Sequence, residues 1–143
     1  MKLSQLLDNK GRDIITVDAE ETLSTVFSLL AKNKIGALVV CNDKEEVVGI
    51  ISERDLVRAI AKDGERTLAW PVQSCMTTDV VTCVEDDTVN DVMEKMTSGR
   101  FRHMPVVENK KLCGVISIGD VVKNRMEEVE REAADIRAYI QAV

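Results

Sequence analysis

From Ile14 to Val57 the spacing of apolar residues changes in a fixed order, and from Val80 to Val122 it runs through the same order again. Ile14, Ile15 and Val17 around Thr16 predict a short strand. After Thr22, residues Leu23, Val26, Phe27 and Leu30 recur at helical spacing, with the threonine placed to cap. Ala37 to Cys41 and Val47 to Ile51 are unbroken apolar runs separated by Asn-Asp-Lys-Glu-Glu, which predicts a hairpin buried on both faces. A helix follows. The second passage offers Val80, Val81 and Thr82 as a strand, Thr88 as a cap for Val89, Val92, Met93 and Met96, and two further apolar runs before a last helix.

The two passages superpose at an offset of 66 residues, matching Thr16 to Thr82, Thr22 to Thr88, Val26 to Val92 and Val40 to Val106. Beyond the charged turn the offset is 65, and Gly-Ile-Ile-Ser-Glu-Arg-Asp (Gly49 to Asp55) lies over Gly-Val-Ile-Ser-Ile-Gly-Asp (Gly114 to Asp120). The chain therefore divides into repeat 1 with an amino-terminal helix (1–63), a connector containing Gly64 and Pro71 (64–79), repeat 2 (80–126) and a carboxy-terminal extension (127–143). A unit of about 65 residues buries only about 60% of its unfolded surface and is marginal alone, so the repeats are expected to depend on each other.

In the extension Val122, Met126, Val129, Ala133, Ile136, Ile140 and Val143 alternate spacings of four and three, a seam suited to pairing between subunits. A helix lying on its own domain would use the same seam. Glu127, Glu128, Glu130, Arg131, Glu132 and Arg137 form its solvated face.

Composition narrows the functions. A net charge of -6 opposes a nucleic-acid surface, which draws its affinity from Lys and Arg, and 3% aromatic residues provide no stacking platform. No apolar run approaches the roughly 20 residues of a membrane span, and the amino terminus lacks a signal peptide's apolar core, so a cytoplasmic protein is expected. Cys41, Cys75, Cys83 and Cys113 have no metal-site or C-x-x-C spacing, and are expected to be small hydrophobes rather than a metal site or disulfide framework.

Ser-x-x-Asp occurs twice in register, at Ser52/Asp55 and Ser117/Asp120. Before an apolar run this is a capping box, the serine accepting from a first-turn amide and the aspartate favouring the positive helix end. A helix start whose donors are only partly used is also a place for an anion or a hydroxyl. The single histidine, His103, follows Arg100 and Arg102 and precedes Met104 and Pro105, a cationic cluster at the entry to an apolar strand.

The doubled Gly-x-x-Ser-x-x-Asp, Arg100 to Val107 and the repeated element order resemble a tandem pair of cystathionine beta-synthase (CBS) domains, a Bateman module, over about residues 1–126. The resemblance implies an α/β fold of α+β type: two β-α-β-β-α repeats packed about a pseudo-two-fold axis, extended here by a long carboxy-terminal helix. It also implies adenosine-nucleotide clefts between the repeats, for AMP, ADP, ATP or NAD(H). In one, Asp55 with Ser52 would hold the ribose and Arg102 and His103 the phosphate, Arg100 staying solvated. In the other, Asp120 with Ser117 would face Ile35, Gly36 and Ala37, with Arg54 as phosphate partner. Ile14, Ile15 and Thr16, and likewise Val80, Val81 and Thr82, would border the bases, and Met104 and Pro105 would supply apolar walls.

Three function classes follow. A stand-alone regulatory module, a homodimer signalling to a regulated protein in trans, accounts for the aspartates and the basic loop together. An enzyme is disfavoured, because the chain has no glycine-rich phosphate loop, no nucleophile placed for His103 and no metal spacing. A structural dimerisation protein explains the tail but leaves the doubled aspartate unused.

Overall fold

The computed structural model describes residues 1–142. Helix α1 (Leu3–Lys10) precedes repeat 1, which comprises β1 (Thr16–Val17), α2 (Leu23–Asn33), β2 (Ala37–Cys41), β3 (Val47–Ser52) and α3 (Glu53–Asp63). Two short 3-10 helices, Glu65–Ala69 and Val72–Ser74, lead to repeat 2: α4 (Val89–Gly99), β4 (His103–Glu108), β5 (Lys111–Ser117) and α5 (Ile118–Ala142). The expected caps form, Thr22 Oγ1 accepting from the Thr25 amide at 3.3 Å and Thr88 Oγ1 from the Asp91 amide at 3.1 Å.

In repeat 1, β1 runs parallel to β2 and β2 antiparallel to β3. Repeat 2 has the same hairpin, β4 against β5, but its expected first strand at Val80–Thr82 is reduced to a single parallel bridge from Cys83 to Val106. That bridge sits 66 residues beyond the pairing of Val17 with Val40, so the position is kept while the strand is not extended. The hairpin turns explain the lost residue. Asn109 and Lys110 both take positive φ, as a two-residue hairpin turn needs, whereas the longer turn in repeat 1 is organised by Asn42 Oδ1 accepting from the Lys44 and Glu46 amides.

Two cores result, and they correct the expected division of the chain. Leu3, Leu6 and Leu7 of α1 were grouped with repeat 1, but they are buried with Val92, Met96, Met104, Val106 and Ile116 of repeat 2. Conversely Val72, from the connector, is buried among Val26, Leu30, Leu38, Ile51 and Leu56 of repeat 1, with Trp70 and Met76 packed alongside. The exchange is symmetric in detail. The Leu3 and Ser4 amides donate to the Asp87 and Glu85 carbonyls, and the Val72 and Gln73 amides donate to the Glu21 and Ala19 carbonyls at the matching places.

The glycine of each repeated motif is where the exchanged segment lands. A Cβ at Gly49 would lie 2.5 Å from Met76 Sδ and 3.0 Å from the Thr77 carbonyl oxygen, and one at Gly114 would lie 2.7 Å from Leu7 Cδ2. A sheet packed this closely against a crossing segment tolerates no side chain at that point.

The carboxy-terminal helix is continuous through Ala142, about 37 Å at 1.5 Å per residue. Val121 and Asn124 are its buried residues. Val122, Met126, Val129, Ile136 and Ile140 of the expected seam are at least half exposed, so the seam does not lie on the chain's own core; Val143 falls outside the described residues. Among those residues, no helix is long and apolar enough to cross a membrane.

Because each core is completed by the segment preceding the other repeat, Leu7→Ala is expected to cost about 2–5 kcal/mol, as for a fully buried leucine. Denaturant unfolding should still show one transition in the variant. Two separated transitions, with repeat 1 unaffected, would show that the repeats fold independently.

Candidate functional site

The strands and helices bring the motif residues to equivalent places. Ala37 pairs with Ser52 at the end of the β2–β3 ladder, and His103 pairs with Ser117 at the end of β4–β5. The entry of the middle strand in each repeat therefore lies beside the helix start. The first amide of each helix is already used: Glu53 donates to the Gly36 carbonyl at 3.0 Å and Ile118 to the Arg102 carbonyl at 2.8 Å.

Both Ser-x-x-Asp motifs are capping boxes. Asp55 Oδ2 accepts from the Ser52 amide at 2.9 Å and from Ser52 Oγ at 3.1 Å, and the Asp55 amide donates to Ser52 Oγ at 3.4 Å. Asp120 Oδ2 accepts from the Ser117 amide at 2.9 Å, and the Asp120 amide donates to Ser117 Oγ at 3.1 Å. Both aspartates are half-buried. Each spends one carboxylate oxygen on its own cap, and an ionised carboxylate has two oxygens with about four acceptor sites in all. The arrangement can hold a helix end and still receive hydroxyls.

His103 crosses between the repeats. A Cβ at Gly36 would stand 3.6 Å from His103 Cε1 and 3.7 Å from Nε2, with the Glu53 carboxyl carbon 4.0 Å away. Burial pushes the imidazole below its usual 6.5; the charge of Asp120 opposes this, Lys10 reinforces it, and Glu53 and Arg102 act more weakly. The expected partner of His103 was the Asp55 cleft, yet the groups acting most on it are Asp120 and Lys10. The imidazole thus stands at the junction of the repeats, with Gly36 on one side and the start of α5 on the other.

Asp120 differs from Asp55 in having a cation seated on it. Lys10 Nζ lies 2.6 Å from Asp120 Oδ2 and 2.8 Å from the Val115 carbonyl oxygen. Burial raises the Asp120 pKa, but the Lys10 bond and the Ser117 amide outweigh it and hold the carboxyl below its usual range. Arg54, the cation expected here, is exposed. Neither Lys10 nor Glu53 was expected at the site. The ion pair spans 110 residues of chain, and no local pattern announces it.

The remaining expected residues divide. Ile14, Ile15, Ile35, Gly36, Ala37, Val80 and Thr82 are half-buried, and Thr16, Val81 and Arg102 are exposed, so all have surface available to a ligand. Ile35, Gly36 and Glu53 also line an apolar groove of about 610 Å³ between α2 and α3. Met104 and Pro105 were expected as cleft walls and are corrected. Met104 is wholly enclosed in the core of repeat 2, and Pro105 is buried with its carbonyl holding the Cys83 amide at 3.0 Å. Strand alternation turns Met104 inward where His103 turns out. Cys83 is buried, its thiol pushed up to about 12 by that burial, whereas Cys41, Cys75 and Cys113 are half-buried; no group suited to a metal ion occurs among the described residues.

The fold recurs in known proteins. The chain is 47% identical to a CBS-domain containing protein of Agrobacterium tumefaciens whose crystal structure superposes with a TM-score of 0.84, covering 87% of this chain and 99% of that one. It is 32% identical to a CBS domain protein of Pyrobaculum aerophilum solved in complex with AMP, with a TM-score of 0.76 over 84% and 89% of the two chains. It is 31% identical to the Arabidopsis thaliana CBS domain-containing protein CBSX3, mitochondrial, over 97% of this chain and 71% of that protein. The CBS domain family model matches twice, over residues 10–62 and 72–127, and the chain belongs to the CBS-domain family as a tandem pair.

Proposed function

We propose that this chain is a regulatory module that binds adenosine nucleotides, AMP, ADP, ATP or NAD(H), in the clefts between its repeats and signals to a partner protein in trans. The observation that carries this is the pair of capping aspartates, each half-buried beside the strand entry and each with one oxygen committed to its serine. A ribose presents two neighbouring hydroxyl donors, and a fixed carboxylate is a suitable acceptor for them. AMP bound to the Pyrobaculum relative supports the ligand class. Arg102 and His103 provide the cationic side, Ser52 and Ser117 position the aspartates, and the backbone around Ile14–Thr16 and Val80–Thr82 borders the base.

The module works as a homodimer. Val57 and Ile60 on α3, with Val122, Met126 and Val129 on α5, form exposed apolar positions on equivalent helices, and Ile136, Tyr139 and Ile140 extend them along the tail. Leaving so many large apolar side chains in water is uncommon unless another surface covers them.

Asp55→Ala and Asp120→Ala are each expected to weaken AMP binding at one site about tenfold to a hundredfold in calorimetric titration, the effect of about 1.5–3 kcal/mol of charge-assisted bonds. Unchanged titrations in both variants would remove the aspartates as ribose acceptors, and no AMP uptake by the unmutated protein would leave dimerisation without a nucleotide as the function.

AMP affinity should also rise as pH falls from about 8 to 6, because the phosphate favours a protonated imidazole that the empty cleft disfavours. The phosphate's own second ionisation, near pH 6, works in the opposite sense, so the readout is the difference from His103→Gln. Without ligand the sign reverses. The folded pKa of His103 is depressed, so its contribution to stability is present above about 6.5 and is lost as pH falls through the folded value. A pH profile identical in His103→Gln would remove the histidine from the phosphate end.

Truncation after Arg125 removes the outer part of the apolar face and should shift sedimentation from dimer towards monomer. An unaltered dimer would confine the interface to α3 and the first turns of α5.

A further inference from the structure

Three ion pairs strap the amino-terminal segment to repeat 2: Lys2 to Asp86 at 2.6 Å, Arg12 to Glu85, and Lys10 to Asp120. The first two lie on residues given no other role. The third ends on a carboxylate to which the nucleotide function assigns a ribose. Its side chains are only 35% and 22% exposed, so solvent screens it less than an ordinary surface pair.

Among the described residues no cation pairs with Asp55 in the other cleft. The segments exchanged between repeats correspond as Leu3 to Val72 and Leu7 to Met76, through their matching bonds and their matching glycines. The segment that completes repeat 1, residues 64–79, contains no lysine and is not helical beyond Ser74, so it provides no counterpart of Lys10 for Asp55. The second bond on Asp55 Oδ2 comes from Ser52 Oγ at 3.1 Å, a neutral hydroxyl free to rotate away. On Asp120 Oδ2 that place is held by an ammonium at 2.6 Å, anchored in turn by the Val115 carbonyl. Both bonds end on a carboxylate, but only the ammonium brings a full opposite charge to it.

Resting on the nucleotide function above, we propose that Lys10 is a specificity-determining residue that ranks the two clefts. Its ammonium holds Oδ2 and partly neutralises the carboxylate whose remaining acceptor sites would receive the ribose diol, so a nucleotide fills the Asp55 cleft first and enters the Asp120 cleft in competition with Lys10. The amino-terminal helix is then a tethered competitor for one site of two.

The test is AMP titration by calorimetry in an Asp55→Ala background, where the Asp120 cleft alone reports, comparing Lys10 with Lys10→Gln and Lys10→Arg. Lys10→Gln should tighten AMP about two- to fivefold, the range set by losing one partly screened ion pair, and Lys10→Arg should give no tightening. Equal or weaker binding in Lys10→Gln overturns the inference, since the ammonium would then be idle or a ligand contact. A carbon-detected titration of the Asp120 carboxyl without AMP checks the pair itself: its midpoint should rise in Lys10→Gln, and an unmoved midpoint also overturns the inference. If the unmutated protein takes up no AMP, the nucleotide function fails and the ranking with it. If it binds AMP but Lys10→Gln gains nothing, the ranking alone fails.

Discussion

Each repeat lacks one wall of its core, and the wall arrives from the segment that precedes the other repeat. Leu7 presses on Gly114 and Met76 on Gly49, so the two glycines are the points where the halves are joined. The exchange suits the size of the repeats: a unit of about 65 residues is marginal alone and gains from burying a shared wall. It also sets the direction of everything else. With the crossing segments seated on β3 and β5, the ends of those strands, the serine caps and the entries of β2 and β4 are all brought towards the boundary between repeats.

At that boundary one set of residues serves stability and forms the candidate site. The serines and aspartates terminate the strands and start the helices, satisfying amides that would otherwise be left unpaired. Gly36 and Arg102 lend carbonyls to the first helical amides, which leaves the side chain of Arg102 exposed. His103 spans the junction and rests against Gly36 of the other repeat. The result is a polar seam whose charges are unequal despite the repeat symmetry. Lys10 and His103 accompany Asp120, and no lysine of the exchanged segment accompanies Asp55.

Much of this was legible in the sequence. Periodicity marked the helices and hairpins, because a buried strand and an amphipathic helix impose different spacings on apolar residues. Thr22, Thr88, Ser52 and Ser117 announced their caps, since capping is chemistry between residues three apart. The doubled Ser-x-x-Asp and the basic entry to β4 marked the candidate site in two halves. Strand alternation alone could have kept Met104 out of the cleft, had it been counted from His103, whereas it sets Pro105 on the histidine's face and gives no sign of its burial. The seam along α5 was legible as a seam, though not as an exposed one, because periodicity identifies an apolar face without saying what covers it.

The sequence by itself determined the repeat, the order of its elements, their caps and the residue types of the site, all of which depend on neighbours within a turn or a hairpin. Only the tertiary structure decided which segment completes which core, that the first strand of repeat 2 shrinks to one bridge, and that Lys10 reaches Asp120 across 110 residues. Such pairings depend on how closely two backbones approach and on which face each side chain leaves. A carboxylate and an ammonium far apart in the chain carry no mark of one another until packing sets them 2.6 Å apart.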